Sequence, residues 1–313
     1  MMILKLIRWP NLVMILASMT LVLLFVIQPG LQIAWFAGGL DIFQFVILVV
    51  ATLLVTTGGY VINDLFDLEA DRINKPGKNL VGTKFSVASI QTIYWILTLL
   101  GVLAGAWLSW SVGRLGASLI FFFSAGLLWF YSERYQCMPL VGNLVVAFLS
   151  ALSFYIVWIF QFLALKTEPY IFTYAQGSFP LVSRFMLIYG GFAFFVSLLR
   201  EIVKDVEDRE GDERFGCGTM VVVWGLKASR IAAAIVSGLC LAGTILVLIF
   251  FLEARFYYLF GYFIAIGLLF VYAFALVLSG KKRSDFKRLS VFIKLLMVVG
   301  IASMVLVYFE LVR

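Results

Sequence analysis

Nine stretches of this chain are apolar over the length of a bilayer crossing, and no other feature restricts the possible folds as strongly. They fall at about 11–28, 42–62, 90–112, 115–132, 139–163, 182–200, 228–251, 256–279 and 289–309. A helix needs about 20 such residues to cross the hydrocarbon core. The runs therefore predict an all-α, polytopic membrane protein of nine transmembrane helices in one bundle. With 313 residues, the crossings and their connections use the whole chain, so residues 1–313 read as a single transmembrane domain with no separate soluble part. Hydrophobic residues make up 63% and charged ones 13%, against roughly 45–50% and 25% in soluble domains. The first run follows Lys5, Arg8 and Pro10 and superficially resembles a signal peptide. No small-residue cleavage site follows Gln28-Pro29, so it is kept as a helix.

The chain contains no histidine. That excludes Ser/His/Asp and Cys/His catalysis, His-ligated haem and His-containing zinc sites. Acid–base or metal chemistry is left to Asp, Glu, Lys, Arg and Tyr. Cys137, Cys217 and Cys240 are odd in number and scattered, which suits neither a disulfide framework nor a thiolate metal site. The expectation is three inert core thiols.

A formal charge of +7 could suggest nucleic acid, but with no soluble domain the excess reads as a topological signal, and no nucleic-acid partner is expected. Alternating the loops across nine crossings places 18 of the 24 Lys and Arg on one side, 5 on the other, and Lys294 within the last helix. This split predicts a cytoplasmic amino terminus, in a cell inner or plasma membrane. Lys294 is expected to snorkel. Lys281, Lys282, Arg283, Lys287 and Arg288 read as orientation signal and lipid headgroup contacts. Thirteen of the 17 acids share the positive side, although orientation makes no demand on Asp or Glu.

Those acids lie mainly in two segments, taken as loops at about 63–88 and 201–227, after the second and sixth runs. Both place Asp at i, i+3 and i+7: Asp64, Asp67 and Asp71, then Asp205, Asp208 and Asp212. At about 100° per residue, each trio spans an arc of about 60° if the helix continues through it. Asn63 and Lys204 stand at the edges of these arcs and Glu201 inside the second, while Glu69, Glu207 and Glu210 point away. Like charges on one face repel, and near a bilayer they need neutralising. Four crossings separate the segments, so both emerge on the same side. Two stripes of hard oxygen ligands suit Mg²⁺, which takes one or two carboxylates together with water and phosphate oxygens. Lys75, Lys78, Lys204 and Arg209 are candidate contacts for a diphosphate.

At these residues the sequence resembles the UbiA superfamily of intramembrane prenyltransferases. The likeness is carried by Asn63-Asp64-x-x-Asp67-x-x-x-Asp71 and Asp205-x-x-Asp208-x-x-x-Asp212, and extends to Arg8-Trp9-Pro10-Asn11 and Asn74-Lys75-Pro76. Tyr131-Ser132, Pro139-Leu140-Val141-Gly142-Asn143 and Gly216-Cys217-Gly218-Thr219-Met220 also belong to it. The chain departs from the family at Lys78-Asn79, where Arg-Pro is common, and at Gln136 and Gly218, where lysines are common.

The resemblance implies that the six aspartates hold two Mg²⁺ ions, which bind the diphosphate of an allylic isoprenoid. A lipophilic acceptor then captures the allylic cation in an apolar chamber at the centre of the bundle. It implies substrate contacts for Asn11, Asn63, Arg134 and Asn143, with helix capping as the alternative for Asn11. Tyr60 and Tyr131, at helix ends beside the motifs, are candidate chamber residues, and Glu201 is the candidate base. The segment Arg200–Asp212 looks most like the branch that geranylgeranylates geranylgeranylglyceryl phosphate, while aromatic acceptors (quinone, haem or chlorophyll precursors) stay open. No obligatory protein partner is evident. The competing class is a cation-coupled transporter, whose coupling site would be expected near the midplane at broken helices rather than at helix ends.

Overall fold

The structure is a computed structural model that describes residues 4, 6–68, 81–82 and 85–312. Asp71, Lys75 and Lys78, named above, lie outside these residues. Among the described residues nine helices are long and apolar enough to cross a membrane. They are α1 (Trp9–Gly30), α2 (Ile42–Phe66), α3 (Val87–Ser111), α4 (Leu115–Glu133), α5 (Val141–Leu165), α6 (Phe179–Phe215), α7 (Gly225–Glu253), α8 (Tyr257–Ser279) and α9 (Arg283–Val312). The chain is an all-α, multi-pass membrane protein.

Local signals set several boundaries. α2 begins with a capping box in which the Gln44 backbone N–H donates to Asp41 Oδ1 at 2.8 Å and the Asp41 N–H to Gln44 Oε1 at 3.2 Å. Ser86 caps α3 by accepting from the Ser89 N–H at 3.1 Å. These contacts satisfy orphan donors of the first turn.

The chain divides into two compact units. One comprises the chain up to Thr20, Ala34–Gln136 and Ile156–Gln176. Here α2 packs against both α3 and α4. Small residues allow the close approach: a Cβ on Gly58 would lie 2.6 Å from Thr98 Oγ1 and one on Gly101 2.8 Å from Val55 Cγ2, both between α2 and α3. Lipid tails are as apolar as the helices, so such packing, rather than a hydrophobic driving force, holds helices together. At the carboxyl end of α2, Val61 and Ile62 are buried with Leu6, Val81, Ile90 and Tyr94, and Trp129 packs on them. This cluster fixes the last turn of α2, which carries Asn63 and Asp64.

The other unit comprises Leu21–Ile33, Cys137–Tyr155 and Gly177–Arg313. Here α6 packs against α7 and α9, and α8 against both α7 and α9. Phe185, Phe251 and Phe263 form a fully buried aromatic core, with the Phe251 and Phe263 centroids 5.1 Å apart. α9 breaks at Ser303, whose hydroxyl lies 3.0 Å from the Tyr189 hydroxyl of α6.

Two expectations are corrected. The second acidic segment, taken as a loop over 201–227, is helical to Phe215, because α6 runs on unbroken for 37 residues. At about 1.5 Å per residue it is roughly 55 Å long, against about 30 Å of hydrocarbon. Its polar end after Leu199 projects beyond the apolar layer. Gly216 stops it at φ +73°, and the Cys217 N–H returns to the Asp212 carbonyl at 2.9 Å. The cysteines are not three inert thiols. Cys137 and Cys217 form a disulfide with Cα atoms 4.7 Å apart, leaving Cys240 free and buried. The two residues stand 80 apart in the chain and meet only once α5 and α6 are in place, with Gly218 packed so closely that a Cβ there would lie 3.2 Å from the Cys137 carbonyl oxygen.

Candidate active site

The first carboxylate stripe starts in the last turn of α2. Asn63 is 6% exposed and its carboxamide is held at both ends: Nδ2 donates to Gln136 Oε1 at 2.7 Å, and Oδ1 accepts from Arg8 Nη2 at 2.7 Å. The same Arg8 nitrogen donates to Asp64 Oδ1 at 2.8 Å. Asp67 ends the helix as its C-cap and accepts from Gln136 Nε2 at 2.9 Å. That Gln136 nitrogen also donates to the Ser132 carbonyl at 2.9 Å, which fixes the carboxamide against the end of α4. The Arg8 guanidinium lies 5.0 Å from the centre of the Tyr60 ring, within cation–π range. Burial opposes the charge on Arg8, but the Asp64 carboxylate and its hydrogen bond, with Tyr60 and Tyr131, more than offset this and raise its pKa.

The second stripe lies along the projecting end of α6. Asn143, 7% exposed in the first turn of α5, donates from Nδ2 to Asp205 Oδ2 at 2.8 Å. Asp208 is one turn further on and half-buried. Asp212 Oδ2 accepts from Thr219 Oγ1 at 3.1 Å. The Cys137–Cys217 bond links the segment before α5 to the turn after α6, and so secures Asn143 and Asp212 from both flanks. Glu201 is 9% exposed and takes a 2.6 Å ion pair from Arg200.

The remaining candidates fall into place unequally. Lys204 is half-buried at the edge of the second arc. Arg209 is exposed and spans 3.8 Å to Glu213 one turn away, a surface pair of little energetic weight. Arg134 is exposed at the C-cap of α4. Asn11 is half-buried in the first turn of α1, and its backbone N–H donates to the Arg8 carbonyl at 2.9 Å. The helix starts at Trp9, so Asn11 is not its capping residue. Arg8 and Gln136 were not expected as site residues. In the sequence Arg8 reads as orientation charge and as part of the Arg8-Trp9-Pro10-Asn11 likeness, and Gln136 as a family departure, while the contacts of both reach across 55 to 73 residues.

Among the described residues no three acidic or sulfur groups gather tightly enough to hold a metal ion by themselves. The donor chemistry nevertheless suits Mg²⁺. Each stripe offers hard carboxylate oxygens one helical turn apart, and the ion asks for only one or two before water and phosphate complete its shell. Arg8 already places a cationic nitrogen on Asp64.

Fold and stripes together define a class: a multi-pass helical membrane protein with paired acidic motifs, each at or beyond the end of a crossing helix. Within that class the chain belongs to the UbiA prenyltransferase family, whose pattern it matches over residues 21–298. Over 190 residues it is 35% identical to the digeranylgeranylglyceryl phosphate synthase of Sulfolobus acidocaldarius, covering 59% of this chain and 59% of that protein. The match thus spans less than two thirds of that relative's length. A solved structure concerned with digeranylgeranylglyceryl phosphate synthase in membranes is 25% identical, with a TM-score of 0.65 over 97% of this chain and 96% of that one. A UbiA homolog from Archaeoglobus fulgidus, solved bound to DMAPP and Mg²⁺, shares the fold at 15% identity and a TM-score of 0.55, covering 96% of this chain and 98% of that one.

Proposed function

We propose that the protein transfers a geranylgeranyl group from geranylgeranyl diphosphate to geranylgeranylglyceryl phosphate, with Mg²⁺ as cofactor. The observation that carries this reading is the recurrence of Asp at i, i+3 and i+7 at the ends of α2 and α6, in a chain similar to digeranylgeranylglyceryl phosphate synthases. Asp64, Asp67, Asp71, Asp205, Asp208 and Asp212 are assigned as ligands of two ions. When bound, the ions act as Lewis acids that neutralise the diphosphate leaving group. Gln136 and Asn143 orient the carboxylates of Asp67 and Asp205. Lys75, Lys78, Lys204 and Arg209 are assigned to the diphosphate, Asn63, Arg134 and Asn143 to the same polar end, and Asn11, Tyr60 and Tyr131 to the prenyl chain and acceptor side.

The allylic C–O bond breaks with its electron pair going to the diphosphate. The acceptor hydroxyl oxygen forms the new ether bond, and its proton passes to the Glu201 carboxylate, which lies 2.6 Å from Arg200 Nη1. The excess of Lys and Arg on the side of both motifs supports an active site facing the cytoplasm from the cell membrane. The test is to supply purified protein with Mg²⁺, geranylgeranyl diphosphate and a panel of glyceryl phosphate and aromatic acceptors, then identify the products by mass.

A further inference from the structure

Arg8 combines two features that an ordinary surface arginine lacks. Its backbone has φ +49°, the left-handed region that a long L side chain seldom adopts. Its Nη2 donates to Asn63 Oδ1 and Asp64 Oδ1 together, at 2.7 and 2.8 Å, above the Tyr60 ring. An unfavoured backbone conformation immediately before α1 thus coincides with side-chain contacts to the end of α2.

A divalent ion held by Asp64 would meet a carboxylate whose Oδ1 already accepts from Arg8, so the two cations would compete for the same carboxylate charge. Arg8 brings one charge and the ion two. The Arg8 side chain is 36% exposed, so the contact with Asp64 is partly open to solvent. Resting on the proposed reading of Asp64 and Asp67 as ion ligands, we infer that Arg8 is a placeholder cation. It positions Asn63 and Asp64 and neutralises the stripe while no divalent ion is bound, and it yields Asp64 when the ion arrives. Arg8 acts through Asp64 and is a positioning residue.

The test uses the full chain in detergent with Mn²⁺ as the probe, without diphosphate, comparing wild type with Arg8→Gln and Arg8→Lys. Removal of the competitor should tighten Mn²⁺ binding about tenfold in Arg8→Gln, the weight of one charge-assisted hydrogen bond. Arg8→Lys, which keeps the charge without the fork, should fall between the two. The melting temperature of Arg8→Gln should drop in EDTA, and the deficit should close at saturating Mg²⁺. Equal or weaker Mn²⁺ binding in Arg8→Gln, or a deficit that persists at saturating Mg²⁺, overturns the placeholder role. Should Arg8→Gln fail to fold, Arg8→Lys carries the comparison by the same two readouts. Wild-type protein that binds no Mn²⁺ at all would instead overturn the metal reading beneath it.

Discussion

Cleavage of the Cys137–Cys217 bond tests whether the second acidic stripe is held covalently. The bond closes a separation of 80 residues. If that loop were fully disordered after unfolding, chain entropy would give about 4.5 kcal/mol of stabilisation. The loop contains α5 and α6, however, and helices in lipid keep their internal hydrogen bonds. Only the connections would gain freedom, and for a loop of about 15 residues the same relation gives about 3 kcal/mol. With an unfolding entropy of at most about 2.1 cal/mol/K per residue, a loss of about 3 kcal/mol corresponds to a fall of at least about 5 °C in Tm. Melting in detergent with and without reductant measures this. Cys137→Ser/Cys217→Ser should melt with the reduced wild type and ignore reductant. Alkylation of denatured protein should label one thiol, Cys240, before reduction and three after. Three labelled thiols without reduction, or a melt unmoved by reductant, would refute the reasoning.

Two substitutions separate site from scaffold. Asn143→Ala leaves Asp205 without its carboxamide donor. It should raise the Mg²⁺ concentration needed for half-maximal turnover about 10- to 100-fold, as losses around metal ligands do, with little change in melting, measured by a Mg²⁺ titration of diphosphate release. Gly105→Leu would drive a side chain into the Phe121 ring of α4 and should destabilise the chain by about 1–3 kcal/mol, read from thermal melting.

The nine crossings were legible because hydropathy alone reports them. The end of α6 was not, because hydropathy measures affinity for lipid and not for helix. Residues 200–215 are polar yet contain four Glu and three Arg, both good helix formers, so the helix continues past the apolar layer until Gly216. The shared face of Asp205, Asp208 and Asp212 was legible because their spacing is local and α6 carries all three. The disulfide, the Arg8 bridge and the Gln136 clamp were not, because each joins residues 55 to 80 apart in the chain. An arginine among 24 basic residues, or a glutamine where lysine is common, gives no sign of its partner until the helices are in place.

Geranylgeranyl transfer to a glyceryl phosphate acceptor is read from the products formed with geranylgeranyl diphosphate and the acceptor panel, identified by mass. A digeranylgeranylglyceryl phosphate ether is expected, with one diphosphate released per ether formed, both lost in EDTA and restored by Mg²⁺. Transfer only to aromatic acceptors would overturn the acceptor assignment. Absence of any prenyl transfer, with cation uptake into liposomes carrying the protein, would overturn prenyl transfer itself.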